Sequence, residues 1–157
     1  MRRARAARFV PFVLVLLLFA PAAAPGAAPR RSQSVVIPFP RGGDAAVGLT
    51  NGPLLIRSVT LENRPDVGDV RGARRDRRDT TLLRWVFHVA NAGRRDWHAR
   101  IQVTVLDSRG RRLAYNKRHG EVDARDFHDR ITVFTRIRTL AYPRADRVRI
   151  RADFYPD

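Results

Sequence analysis

An all-β fold of two packed antiparallel sheets is what this sequence predicts, and three observations carry the prediction. From Leu54 onward apolar residues recur with a period of two, turn residues interrupt them at short intervals, and no stretch shows a helical stripe. Strands that are apolar on one side must bury that side against a second layer.

Taken in chain order, the first element is not part of that fold. Arg2, Arg3, Arg5 and Arg8 precede an apolar run from Phe9 to Ala20, and small residues follow from Pro21 to Ala28. Basic, apolar and small-residue zones in this order are the pattern of a secretory signal peptide. The run contains Pro11 and is shorter than the roughly 20 apolar residues of a membrane span. Residues 1–28 are therefore expected to be removed and the remainder exported. Residues 29–53 are rich in proline, glycine and small side chains and read as a linker. Val35, Val36 and Ile37 offer one possible edge strand there, stopped by Pro38 and Pro40.

The domain proper is expected over residues 54–157. Val59 and Leu61 alternate with Ser58, Thr60 and Glu62; Leu83, Trp85, Phe87 and Val89 alternate with Arg84, Val86 and His88. Ile101, Val103 and Val105 alternate with Arg100, Gln102 and Thr104. Ile131, Val133, Thr135 and Ile137 share a face, as do Val148, Ile150, Ala152 and Phe154. Turns fall at Asn91-Ala92-Gly93, Asp107 to Gly110, His119-Gly120, and between Pro143 and Asp146. The stretch from Arg64 to Asp79 mixes arginines and aspartates with no apolar face and reads as a solvated loop. About seven short strands of this kind make an immunoglobulin-like antiparallel β-sandwich, with Trp85 as its buried tryptophan. An open-ended barrel is the other architecture that would bury these faces. Trp97, after Arg94-Arg95-Asp96, either caps the core or stands exposed to stack on a sugar or a partner.

Val89-Ala90-Asn91-Ala92-Gly93, followed by the alternating run Ile101 to Leu106 and then Asp107-Ser108-Arg109-Gly110, resembles small bacterial immunoglobulin-like modules of the FxLYD and CARDB kind. The resemblance spans residues 80–155; Leu106 stands where the FxLYD type has an aromatic. It implies a non-enzymatic module.

Composition removes several chemistries. The chain has no cysteine, so neither a disulfide framework nor a bacterial lipoprotein anchor is available. Its only methionine is Met1, which together with the missing cysteine excludes a blue-copper site. His88, His98, His119 and His128 are scattered, with no pair at ligand spacing on one strand, so no metal or other cofactor is expected. Ser58 and Ser108 lack a nucleophile elbow, and Glu121, Asp123 and Asp126 sit in a polar loop beside Arg118 and Arg125. Enzymatic activity, metal-dependent or hydrolytic, is the weakest reading.

The net charge of +16 invites a polyanion partner, yet Lys117 is the only lysine. Arginine in place of lysine throughout, with much alanine and glycine, reads first as G+C-rich coding bias. The placement of the arginines is the sharper signal. With Ile131, Val133 and Ile137 turned inward, Arg136 and Arg138 point outward together with Phe134. With Val148, Ile150 and Ala152 inward, Arg147, Arg149 and Arg151 point outward. An immunoglobulin-like order would set these last two strands side by side, with Arg100 joining the same face. The expectation is a non-enzymatic, exported binding module of a bacterial envelope, periplasmic or extracellular, that meets an envelope protein or an anionic surface through that face. Lipid phosphate, acidic polysaccharide and extracellular DNA are the alternative polyanion partners; intracellular nucleic acid is not expected.

Overall fold

The computed structural model describes residues 31–65 and 79–157. The signal peptide expected at residues 1–28 lies outside the described residues, as does most of the loop expected from Arg64 to Asp79. The described residues form eight strands: β1 (Arg31–Pro38), β2 (Asp44–Asn51), β3 (Leu54–Pro65), β4 (Thr80–Asn91), β5 (Trp97–Asp107), β6 (Arg112–Val122), β7 (Asp129–Arg138) and β8 (Ala145–Pro156). They pair antiparallel in two four-stranded sheets, ordered β1-β8-β5-β6 and β2-β3-β4-β7, which pack as a sandwich. The sequence led us to expect about seven strands.

The inward sets follow the period-two pattern. Leu83, Trp85, Phe87 and Val89 of β4 meet Ile101, Val103 and Val105 of β5 and Val148, Ile150, Ala152 and Phe154 of β8 in one core. Trp85 is fully buried, and its indole N–H donates to Thr135 Oγ1 at 2.9 Å, so the large ring brings no unsatisfied donor into the interior. Trp97 is buried as well, which resolves its two readings in favour of the core.

Residues 31–51, expected as a linker with one possible edge strand, instead hold two strands, one in each sheet. β1 pairs with β8 and β2 with β3. Their pattern is diluted because each is an edge strand with a half-wet inner face. β1 buries Ile37 while Ser32, Ser34 and Val36 stay exposed, and β2 is broken by a register shift between Ala46 and Leu49.

A second expectation is corrected by the topology. β7 and β8 are not neighbours but lie in different sheets. A tight hairpin would have paired them; the connection here is a six-residue 3₁₀ turn, Thr139–Arg144, containing Pro143, and it carries the chain across the sandwich edge. The pairings β4–β7 and β5–β8 reproduce the central B–E and C–F pairs of an immunoglobulin-like sandwich. The place beside β8, which the following strand fills in that order, is held by β1 from the other side of the chain.

Two motifs turn out to be joints. Asn91 is fully buried; its amide donates to the carbonyls of Arg95, Val122 and Asp123, and its Oδ1 accepts from Gly93 N at 2.8 Å. A Cβ on Gly93 would lie 2.9 Å from both Asn91 Oδ1 and Pro53 Cγ, so only glycine fits there. Asp107 accepts from the backbone N–H of Arg109 and Arg111 and from the Arg111 guanidinium, while Gly110 takes the left-handed φ of +76° that completes the turn. Burial opposes the charge on Asp107. The Arg111 backbone N–H, the Arg111 guanidinium and the Arg109 N–H together outweigh it and hold the carboxyl below its ordinary range.

Candidate functional site

Because β7 and β8 belong to different sheets, the arginines expected on one face divide between two. Residues paired across neighbouring strands share a face. On the outside of β1-β8-β5-β6, the register aligns Ser34, Arg151, Gln102 and Lys117 in one row. The next row holds Val36, Arg149, Thr104 and Tyr115. The rows on either side hold Ser32, Asp153, Arg100 and His119, and then Pro38, Arg147, Leu106 and Arg112. Arg100, Arg147, Arg149 and Arg151 are thus brought together. Arg136, Arg138 and Phe134 are not among them; they lie on the outside of β2-β3-β4-β7, on β7.

The two groups differ in what balances them. On the first face, Arg151 Nε donates to Ser32 Oγ at 2.7 Å and reaches Asp153 Oδ1 at 3.3 Å. Arg147 pairs with Asp146 at 3.0 Å and donates to the Ser108 carbonyl. Among the described residues, the guanidinium groups of Arg100 and Arg149 and the ammonium of Lys117 have no carboxylate partner. The two central rows, which carry Arg149, Arg151 and Lys117, contain no acid. Val36 and Tyr115, exposed by 49% and 43%, leave apolar surface between the charges, and the Arg112 guanidinium lies 5.7 Å above the Tyr115 ring. One end of the face is closed by an aromatic cluster. Tyr155 stacks on His98 at 5.3 Å and its hydroxyl lies 3.1 Å from His119 Nδ1, while His98 Nε2 contacts Asp157 Oδ1 at 3.0 Å.

The opposite face is compensated only in part: among the described residues Arg130 and Arg138 have no carboxylate partner, whereas Arg84 does. Arg84 pairs with Glu62 at 3.1 Å on the neighbouring strand, and Phe134 lies across from Arg84. The Thr60 hydroxyl bonds both to the Asp44 carboxylate and, at 3.1 Å, to His88 Nε2. A hydroxyl has one proton. Given to the carboxylate, it leaves Thr60 to accept from the imidazole tautomer that carries its N–H at Nε2. The arrangement ties β2, β3 and β4 together beside a shallow depression lined by Thr60, Glu62, Arg84, His88 and Arg130. Sequence reading missed this network, because nothing in the chain pattern reveals that positions 44, 60 and 88 meet across three strands.

The remaining candidates do not converge. Among the described residues no three histidine or acidic side chains are grouped to hold a metal ion. Asp96 and Asp126 bond backbone N–H groups of the loop before β7, at 2.7 Å to Ala124 and 2.8 Å to His128. Glu121 is exposed on β6 opposite His98. Ser58 lies at the β3 register shift and Ser108 in the exposed turn after β5.

No protein-family model matches the chain, and no curated protein matches it. Among solved structures it is similar to the enzymatically active domain of the bacteriophage CBA120 tailspike protein 4, at 9% identity and a TM-score of 0.25. That match covers 80% of this chain and 17% of the tailspike chain.

Proposed function

We propose that this chain is a non-enzymatic binding module, exported into or beyond a bacterial envelope, that holds an anionic partner on the outer face of β1-β8-β5-β6. The observation that carries the reading is the pair of central rows in which Arg149 and Arg151 of β8 and Lys117 of β6, on either side of β5, stand with no acid among them. Like charges gathered on one acid-free patch repel one another, and an anion laid across them removes that repulsion. Among the described residues this face is an open surface. This suits an extended partner, such as an acidic polymer or a phosphate-bearing surface, better than a small molecule.

Binding to immobilised heparin tests this. Lys117→Gln, Arg149→Gln and Arg151→Gln together should elute at much lower salt than the unsubstituted chain. Arg94→Gln, Arg95→Gln and Arg109→Gln, which remove the same charge from exposed turns, should elute close to it. Equal shifts in the two sets would mean that charge count, not this face, governs binding.

A further inference from the structure

β1 stands apart from the other strands in how it is held. Its backbone pairs only with β8, to which it comes from 107 residues earlier in the chain: Phe39 N donates to Asp146 O at 2.8 Å just beyond the last pair. An immunoglobulin-like order fills this position with a strand hairpinned to its neighbour, which is closed by a short loop at little entropic cost. Here the closure is long-range.

The groove that β1 fills is nonetheless demanding. The inner side chains of β8, namely Val148, Ile150, Ala152 and Phe154, are all fully buried, and without a strand beside them the sheet edge would expose apolar surface and unpaired backbone groups. What β1 itself supplies is modest. Ile37 is buried, Val35 partly so, and Ser32 and Ser34 face solvent. Phe39, just past the strand, adds a plug whose ring meets Trp85 at 6.0 Å and Tyr142 at 5.7 Å, both edge-on. The connection to β2 is short and runs Phe39-Pro40-Arg41-Gly42-Gly43, with both glycines at positive φ, 149° and 79°. Two glycines in conformations that only glycine adopts freely make a hinge, and Pro38 and Pro40 favour its extended form.

We propose that β1 is an exchangeable donor strand: copies of this chain join when β1 of one copy takes the place beside β8 of another. Every contact of the closed monomer is reproduced in the joined form, so only the hinge and the translational entropy separate the two states. Reciprocal exchange closes a dimer, and one-way exchange continues into an open chain of copies. The exchange also bears on the basic face. Ser34 and Val36 sit in the rows of Arg151 and Arg149, so each copy would complete its neighbour's face, and joined copies would present several such faces with the avidity of a linked array. The strand exchange stands independently of what that face binds.

The chain has no native cysteine, which permits a direct test. Ile37 and Val148 are register partners with inward-facing side chains, so a disulfide between them requires β1 to be seated against β8 and cannot form through a surface collision. One preparation of the exported full chain carries Ile37→Cys and a second carries Val148→Cys; the two are mixed at high concentration under mild oxidation. Strand exchange predicts a disulfide-linked dimer of the two different copies, at least tenfold above the dimer formed by either alone. A chain carrying both substitutions serves as the reference for an intramolecular link. A mixture that gives no such dimer, while the doubly substituted chain locks as a monomer, overturns the proposal. A cysteine-free arm uses deletion of Gly42 and Gly43. The shortened hinge should shift the protein from monomer to dimer or longer forms by size, with an unchanged β-sheet circular dichroism spectrum. A folded, purely monomeric deletion variant would contradict the proposal equally.

Discussion

Both outer faces of the sandwich carry arginines on neighbouring strands, but they balance them differently. On the β2-β3-β4-β7 face, Arg84 has Glu62 beside it at 3.1 Å, and the acid at Asp44 is tied through Thr60 to His88. On the β1-β8-β5-β6 face, Arg149 and Lys117 stand in rows with no acid, and the carboxylates of Asp153 and Asp146 are taken up by Arg151 and Arg147. The lesson is that cross-strand register, not the number of arginines, decides where acids stand beside them: Glu62 lies beside Arg84, while the rows of Arg149, Arg151 and Lys117 hold none. A compositional bias toward arginine supplies side chains to both faces alike; the position of the acids separates them.

The comparison depends first on which side of each strand faces out. Trp85→Ala tests this with the largest expected effect. Removing a fully buried tryptophan costs about 3–5 kcal/mol, and a domain of this kind has roughly 5–15 kcal/mol in total. Chemical denaturation should show the midpoint falling sharply. A midpoint within a few degrees in a thermal melt would reverse the assignment of both faces, because a one-residue slip exchanges them.

A smaller effect is expected where the two sheets meet. Gly120 on β6 lies so close to β7 that a Cβ there would be 2.6 Å from Ile131 Cγ1, and Asn116 on the same strand bonds the Phe134 carbonyl. Gly120→Ala should cost about 1–3 kcal/mol by overpacking, and Ile131→Val should recover part of it. Full stability in Gly120→Ala would mean that this edge is looser than the geometry indicates.

Asp107 sharpens the comparison by showing what a compensated carboxylate does, since Arg111 and Arg144 both reach it, at 2.8 and 3.4 Å. Its folded-state pKa is depressed, so its contribution is present in full above the ordinary carboxylate range and is lost as pH falls through and below that range. Asp107→Asn should therefore be less stable than the parent at neutral pH, and the gap should close on acidification. A gap that stays constant down to pH 2 would show that the turn depends on the two acceptor oxygens of the carboxyl group and not on its charge.

The smallest effect concerns the stability of the basic face. Lys117→Gln, Arg149→Gln and Arg151→Gln together should leave the fold intact and raise its stability slightly at low salt, through relief of like-charge repulsion. The gain should disappear at high ionic strength.

Much of the fold was legible because the strands from β3 onward alternate cleanly. Leu83, Trp85, Phe87 and Val89, or Val148, Ile150, Ala152 and Phe154, leave one way to face each strand. β1 and β2 were less legible, since an edge strand that buries little more than Ile37 carries little period, and Gly48 and the shift before Leu49 interrupt the other. The separation of β7 from β8 was not legible at all. Whether six residues with one proline make a hairpin or a crossover depends on which strand already holds the place beside β8, and β1 is remote in sequence. For the same reason the candidate site was half visible. Arg100, Arg147, Arg149 and Arg151 do share a face, but Arg136, Arg138 and Phe134 share another, and Lys117 and Tyr115 were missed because β6 had no clear alternation to place them.

The most direct measurement of the central claim compares the two faces at equal charge. Heparin affinity is measured across a salt series for the parent, for the set Lys117→Gln, Arg149→Gln and Arg151→Gln, and for the set Arg130→Gln, Arg136→Gln and Arg138→Gln. Each cation that contacts a polyanion releases counterions and steepens the fall of log K with log salt. The account predicts that the first set flattens this slope strongly and weakens binding at low salt, while the second leaves the slope nearly as in the parent. Equal flattening by both sets, or a larger loss from the β7 set, would contradict it.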